Sequence, residues 1–442
     1  MHETLSQKFD AVVMLTFSNW HTEMRSNRYH YATRFARHLP VIFVQPDLEE
    51  PGFRYEPTEV RGMSLLHLYS RYGWKQNGLL NAALVQRRVR KSLAWVYNFR
   101  FLDFLALRRN EFTVYHASED YFSPAFMLSE RSLNDLRTAL RLSDLVVAVS
   151  EGVRDSIVER GCYGGETLVV QNGCDYKFWA LAPEAVASDI QAGGRPIAFY
   201  QGGIKHMMDF PLLLEIVRRL PGWEFWFCGE VQPGLSEWSS LRGHANVKYH
   251  GKLAPEELRR LMYRSTVGLI PFVQDDLIVN RAFPLKAFEY IACGLPVVSV
   301  PIKALQPYSN VITFAETAGQ FVAALEKEAP TRFSAEAIAR RLKIAQSQDY
   351  DLRFDTLLFS RAFTAISTSG KKARVNAWFI RMFLTKSFVD NFKSEAFCLL
   401  RVLARLVIHL GARMIAIVLR RDAEQLEQEL MRLSRRARGY GG

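Results

Sequence analysis

Val267-Gly-Leu-Ile-Pro-Phe-Val-Gln-Asp-Asp-Leu-Ile-Val-Asn-Arg-Ala-Phe-Pro-Leu-Lys-Ala-Phe-Glu-Tyr-Ile-Ala-Cys-Gly-Leu-Pro-Val-Val-Ser-Val300 reads as strand, loop, helix and strand in succession. Residues 267–272 are a short apolar run of the kind buried in a parallel sheet. Pro284 suits a first helical turn, where its missing N–H leaves nothing unpaired. Gly294 suits the position just past the helix end, and Pro296 cannot continue the helix. Leu285, Phe288, Ile291 and Ala292 form one apolar face, while Lys286 and Glu289, three apart, project together from another. A cation and a carboxylate near a helix start, beside a strand end, can hold a phosphorylated, hydroxylated ligand. An ordinary surface ion pair is the alternative.

The same alternation runs outward in both directions. Toward the N-terminus, residues 11–17 read as a first buried strand, 17–28 as a polar and aromatic loop, 31–39 as a helix and 41–44 as a strand, a βαβ unit. Residues 79–109 suggest one long helix. Strands follow at 112–115, 145–149 and 167–170, with helices at 133–142 and 151–160, and the turn Asn172-Gly173 closes the set. Residues 181–195 have little pattern and read as a linker. The second half restarts with strands at 196–200, 224–227, 247–250, 267–270 and 297–300, and helices that include 210–219 and 255–263. The fold expected is α/β: a doubly wound domain over 1–180, another over 196–366, and a helical extension over 367–442.

Composition narrows the function classes. The chain is 49% apolar and 23% charged, an ordinary globular balance. Its five cysteines lack CxxC spacing, which argues against a disulfide framework or a zinc site and suits a reducing cytosol. No secretory signal is evident in the first residues. Of the net charge of +12, nine units come from residues 370–442, where fifteen Lys and Arg face six Asp and Glu. The basicity belongs to the tail.

Several of these pieces resemble GT-B-type glycosyltransferases, the two-Rossmann-domain enzymes that use nucleotide-activated sugars, among them bacterial surface-polysaccharide enzymes. Pro284-Leu-Lys-Ala-Phe-Glu-Tyr-Ile-Ala-Cys-Gly-Leu-Pro-Val-Val298 is similar to their donor motif. Val146-Val-Ala-Val-Ser-Glu151, Val169-Val-Gln-Asn-Gly-Cys-Asp175, Tyr200-Gln-Gly-Gly203 and Asn246-Val-Lys-Tyr-His-Gly-Lys252 match further family elements in order. The resemblance implies that Glu289 holds the ribose hydroxyls and that the helix start faces the diphosphate. Asn280, Arg281, Pro284, Leu285 and Lys286 complete that donor segment. Arg281 stands where many members carry a second Glu that faces the sugar, so the motif names neither sugar nor stereochemical outcome. Gly202 and Gly203 would let backbone approach the diphosphate, with Lys205 to neutralise it; a simple tight turn is the alternative. Gly229, Lys252 and Leu253 would border the nucleobase.

For the acceptor half, one general base must take the hydroxyl proton. Asp120 is the first choice, since related sequences show an Asp pair there, followed by His116 and Glu119; some of these will cap the following turn. Asn19, Trp20, Arg25 and Arg28 lie on the loop that touches the acceptor in this fold, where an aromatic plus cations suits a sugar face or a phosphate. Asp349-Tyr350-Asp351 reads as helix-start chemistry rather than a metal motif, and no metal or other cofactor is expected.

In residues 396–419, Arg401, Arg405, His409 and Arg413 make a basic stripe on an apolar helix. Each Arg would cost roughly 2.5–3.5 kcal/mol at a bilayer centre, so an interfacial helix fits better than a spanning one. Packing on the body or a dimer contact is the alternative. Together these features suggest a hexosyltransferase acting on a lipid-linked or membrane-associated glycan in cell-surface polysaccharide synthesis. It would be cytoplasmic, peripheral on the inner face of the membrane, and would not bind nucleic acid. An epimerase on the same fold and a non-catalytic sugar-binding partner are the rivals.

Overall fold

Runs of Val, Ile, Leu and aromatic residues alternate with amphipathic helices, and such a chain buries its strands between helical layers. The computed structural model describes residues 2–23, 25–107, 112–180 and 194–360, together with Phe363 and Gln428. Within the compact unit Met1–Lys371 the strands form two sheets. The first has eight strands: β1 Ala11–Leu15, β2 Val41–Leu48, β3 Phe53–Pro57, β4 Met63–Tyr69, β5 Ser92–Val96, β6 Phe112–Ala117, β7 Leu145–Ala148 and β8 Thr167–Val169. Their order is β3-β4-β2-β1-β5-β6-β7-β8, parallel throughout except for the edge pair β3–β4. The second sheet has six: β9 Ile197–Gln201, β10 Glu224–Cys228, β11 Val247–Tyr249, β12 Val267–Ile270, β13 Val297–Ser299 and β14 Ile312–Phe314. Its order, β11-β10-β9-β12-β13-β14, is all parallel. The winding direction reverses between β1 and β5 and between β9 and β12. Ligands of open α/β sheets bind outside the carboxyl ends of strands at such reversals.

Each sheet has its own apolar core, and the chain crosses between them twice. Going out, Cys174 and Trp179 pack into the second core. Coming back, the helix Tyr350–Phe359 puts Tyr350, Phe354, Leu357 and Leu358 into the first. The two crossings pair: Cys174 N donates to Gln348 O and Tyr350 N to Cys174 O, each at 3.0 Å. Gly173 is required there, because a Cβ would stand 2.3 Å from the Gln348 carbonyl.

The α/β, doubly wound reading holds for both halves. The long helix expected over 79–109 is instead the helix Trp74–Gln86, strand β5 and the helix Leu102–Leu107. Arg and Lys at 87–91 stand just before a fully buried five-residue strand, which hides it in a helix-like composition. The β3–β4 hairpin and β14 were not anticipated. Ser26 accepts from Arg28 N and starts the next helix at Asn27, so Arg28 is helical rather than in the 17–28 loop. Asp275 likewise caps a short helix, Asp276–Arg281, inside a stretch read as loop. Residues 181–193 of the expected linker and the basic tail, apart from Gln428, lie outside the described residues. Among the described residues no helix is long and apolar enough to cross a membrane.

Phe354 lies 4.8 Å from Phe35 and 6.1 Å from Tyr31, ring centre to ring centre. Phe354→Ala should therefore cost roughly 3–5 kcal/mol, read as a lower urea midpoint for the first half.

Candidate functional site

At the reversal of the second sheet, β9 runs into Gly202 and β10 into Gly229, with φ of +116° and +144°. The two turns touch: Gly202 N donates to Cys228 O, and a Cβ on Gly229 would stand 2.0 Å from the Gly202 carbonyl. Only glycine fits, so backbone rather than side chain lines this edge. Gly229 N in turn donates to Gly251 O, which joins the turn after β11. Gly203 follows, its carbonyl accepting the Tyr200 hydroxyl at 2.9 Å.

The helix Lys286–Ala292 points its first turn at this edge. Lys286 and Glu289 are inward-facing, and they are not the surface ion pair considered as the alternative. The Lys286 ammonium lies 4.1 Å from the Tyr200 ring centre and 4.6 Å from that of Phe272, beside Gly202, with no carboxylate at ion-pair distance among the described residues. Burial lowers its pKa to about 7, with Glu289 opposing and Lys205 adding to the shift. Burial raises Glu289 to about 7, against its hydrogen bond from Gln201 and the charges of Lys286 and Arg25. A half-buried cation packed on two aromatic rings next to glycine backbone is a site suited to an anion. Lys205 is exposed on the adjoining turn. Pro284 and Leu285 open the helix, Pro284 O accepting from Ala287 N. Lys252 is exposed and 3.6 Å from Glu230, and Leu253 packs on the second core.

Asn280 and Arg281 depart from the donor role expected of them. Asn280 turns its amide back to Asp276. Arg281 bridges Asp120 and Asp276, both at 2.8 Å, while its carbonyl accepts the Ser150 hydroxyl. They form a seam between the halves, tight enough that a Cβ on Gly152 would meet the Asn280 carbonyl at 2.1 Å.

That seam also corrects the first choice of base. Asp120 is buried, with Oδ1 accepting from Ser156 Oγ and Phe122 N, and Oδ2 from Arg281. Three of its roughly four lone-pair sites are taken and its side chain is wholly buried, so a substrate hydroxyl does not reach it. His116 is equally unsuited. It is buried, its Nδ1 accepts from Trp95 Nε1 at 3.2 Å, and burial pulls its pKa down to about 3. The neutral ring therefore carries its hydrogen on Nε2 and acts as a donor. Glu119 is different: it is exposed, and among the described residues nothing forms a hydrogen bond or ion pair with its carboxylate. Surrounding protein raises its pKa above the usual carboxylate range, offset by Arg28 and Lys205, and reinforced by Asp120. The pull of Lys205 puts Glu119 within electrostatic reach of the glycine turn.

Of the four acceptor-loop residues, three are occupied elsewhere. Trp20 is a core residue, stacked on Tyr29 at 5.3 Å, with Nε1 donating to Glu59. Asn19 caps the short turn Trp20–Thr22. Arg25 ties Asp175 and Glu256 together and lies over Phe178. Arg28 is a cation with no carboxylate at ion-pair distance among the described residues. Sequence reading missed Gln201, Tyr200, Phe272, Tyr31 and Tyr97; the only signal was their place at or near strand ends, or, for Tyr31, one turn along a helix from Arg28. Asp349 and Asp351 follow the helix-start reading. Asp349 caps Tyr350–Phe359, and Asp351 pairs with Arg34 and Arg37, each at 2.8 Å. Among the described residues no cluster of three or more His, Cys, Asp or Glu is arranged for a metal.

Residues 211–358 match the family described as Glycosyl transferase-like. A putative teichuronic acid biosynthesis glycosyltransferase, TuaH of Bacillus subtilis, is 26% identical; the match covers 55% of this chain and 65% of that protein, just under two thirds of its length. Sucrose-phosphate synthase from Thermosynechococcus elongatus superposes with a TM-score of 0.62 at 15% identity, over 81% of this chain and all of that one. Anabaena HepE in complex with UDP-glucose gives 0.58 at 17%, over 78% and 99%. An α,α-trehalose-phosphate synthase (UDP-forming) from Burkholderia vietnamiensis gives 0.61 at 12%, over 82% and 98%. The chain has the GT-B fold, as the sequence resemblance implied.

Asp120→Ala leaves the Arg281 guanidinium without one of its two carboxylates and should cost roughly 3–5 kcal/mol. Adding Arg281→Met should return much of that stability in a double-mutant cycle. Gly229→Ala, which drives a methyl group into the Gly202 carbonyl, should abolish nucleotide binding measured by calorimetry.

Proposed function

We propose that this protein is a glycosyltransferase that moves a sugar from a nucleotide diphosphate-sugar to a hydroxyl of a glycan acceptor. The observation that carries the reading is Lys286: a half-buried ammonium with no carboxylate at ion-pair distance among the described residues, set beside the Gly202 turn at the reversal of the second sheet. A diphosphate there would gain Lys286, Lys205 and glycine backbone, and these cations take the negative charge of the leaving group. Glu289, one turn along the helix, is placed for ribose hydroxyls. The likeness to a teichuronic acid enzyme and to a structure holding UDP-glucose supports this donor class and a role in polysaccharide synthesis.

In the transfer the acceptor oxygen forms a bond to the anomeric carbon as the bond to the diphosphate oxygen breaks. The hydroxyl proton passes to Glu119, the accessible carboxylate of the first half. Charge stabilisation comes from Lys286 and Lys205 with no metal step. A lipid-linked acceptor reached from the cytoplasmic face of the membrane is consistent with the apolar, basic composition of residues 396–419.

Screening UDP-, GDP- and ADP-sugars by thermal shift tests the donor half. A ligand at about 100 times its Kd should add about 2.7 kcal/mol of stability, and silence from all three would overturn the reading. Lys286→Gln and Glu289→Ala should remove that response. Glu119→Gln should retain nucleotide binding and lower kcat by roughly 10²–10⁴. Because Glu119 must be ionised to accept the proton, kcat/KM should rise with pH through a value above the ordinary carboxylate range, and this limb should vanish in Glu119→Gln.

A further inference from the structure

The first sheet has its own reversal, between β1 and β5, and there the protein leaves a group of donors unused. The helix Asn27–Phe35 turns polar residues inward. Arg34 pairs with Asp351 and shares a contact with His30 Nδ1, while His30 stacks on Tyr350 at 3.9 Å and leaves its Nε2, like Oδ1 of Asn27, without a partner. The Arg28 guanidinium sits 4.7 Å from the Phe17 ring centre and 5.2 Å from that of Tyr97. Its hydrogen bond is a long one, 3.5 Å to Ser26 Oγ, and its Nε is buried without a partner.

Beside it the Tyr97 ring stacks on His116 at 4.9 Å, and Tyr31 meets the same imidazole edge-on at 4.8 Å. The hydroxyls of Tyr31 and Tyr97 and Nε2 of His116 are all buried and unpartnered, on residues at most 2% exposed. Trp95 fixes the His116 tautomer, so Nε2 offers a hydrogen. Each such group left unpaired costs about 1–3 kcal/mol, and the three belong to rings packed on one another, so a hydrogen-bonding occupant beside them would recover part of that cost. The set is a guanidinium, two hydroxyls and an imidazole N–H. It offers hydrogens and one positive charge, and among the described residues no carboxylate lies at ion-pair distance of the guanidinium. Groups rich in lone pairs and negative charge match it: a carboxylate or a phosphate.

We propose that Arg28, Tyr31, Tyr97 and His116 form an anion subsite for the acceptor, so that the sugar accepting transfer carries a carboxylate, as in a uronic acid residue, or a phosphate. This rests on the glycosyltransferase reading above and names its acceptor class. Arg28 acts electrostatically on both His116 and Glu119, so an anion held there brings its sugar ring toward the base. In this arrangement Arg28 and the two tyrosines position the acceptor, and Glu119 takes its proton.

The test uses the full-length chain with its nucleotide diphosphate at saturation, so that Lys286 is already occupied. Methyl β-D-glucuronide, glucose 6-phosphate and methyl β-D-glucoside are titrated separately by ligand-observed NMR. An anionic probe should bind roughly tenfold or more tighter than the neutral one. Arg28→Gln should bring it down to the neutral level, Arg28→Lys should restore part of it, and Tyr97→Phe should weaken it while the thermal midpoint of the ligand-free protein does not fall. Preference between glucuronide and phosphate identifies which anion the site takes. Equal affinity for charged and neutral probes, undiminished anion binding in Arg28→Gln, or no probe binding to a nucleotide-loaded protein would overturn the subsite and leave the donor reading standing. Failure of every nucleotide to bind would instead remove the donor reading itself.

Discussion

Asp349 holds the two halves of this molecule in register. One carboxylate oxygen caps the helix Tyr350–Phe359 by accepting from Asp351 N at 2.6 Å, and the other accepts from Tyr176 N at 2.9 Å. The first contact starts the helix that completes the first core. The second ties that helix start to the outgoing crossing, whose Trp179 lies in the second core. A side chain at this crossing is thus bonded to both passages of the chain. The Cys174–Asp349 backbone bridge and the absence of a side chain at Gly173 let the passages lie side by side. The Arg281–Asp120 pair and the Ser150 hydroxyl add a second set of ties, and both walls of the candidate site hang from these contacts.

Charge in the site divides into spent and unspent groups. Asp120, Arg25, Arg34, Arg281 and Asp351 are spent on one another or on other carboxylates. Lys286 and Arg28 are unspent, one in each half, and Glu119 is an unpaired acid subject to the charges of Arg28 and Lys205. A half-buried cation with no carboxylate beside it has lost part of its solvation, which an incoming anion can offset. The pattern of unpaired groups therefore says more about the chemistry than the number of charged residues does.

The fold was readable where a single segment carried all its own signals. Pro284, Gly294 and Pro296 punctuate one helix, and the helix is there, ending in Gly294 at φ +71°. The stretch around β5 failed because Ser92-Leu-Ala-Trp-Val96 is buried on both faces and shows no alternation. The site was harder for a different reason. Glu119 and Asp120 are adjacent in sequence and their side chains meet opposite environments: Asp120 turns inward to Arg281 and Ser156, and Glu119 is exposed. Trp20 had the composition of a sugar platform and became core because Tyr29 and Phe43 close over it. Glu289 and Lys286 were found because a helix start constrains both; Tyr97 and Tyr31 were not, because only folding brings them to His116.

The return of the last described helix to the first sheet has a consequence for biosynthesis. Tyr350, Phe354, Leu357 and Leu358 belong to a core whose other walls are made from the first 170 residues. A nascent chain that has translated the first sheet still lacks one side of that core until nearly two hundred more residues have followed. The second sheet, closed by Trp179 behind it, can be complete earlier. The half made first is therefore the half finished last, and its open face is where a chaperone would have most to cover during synthesis.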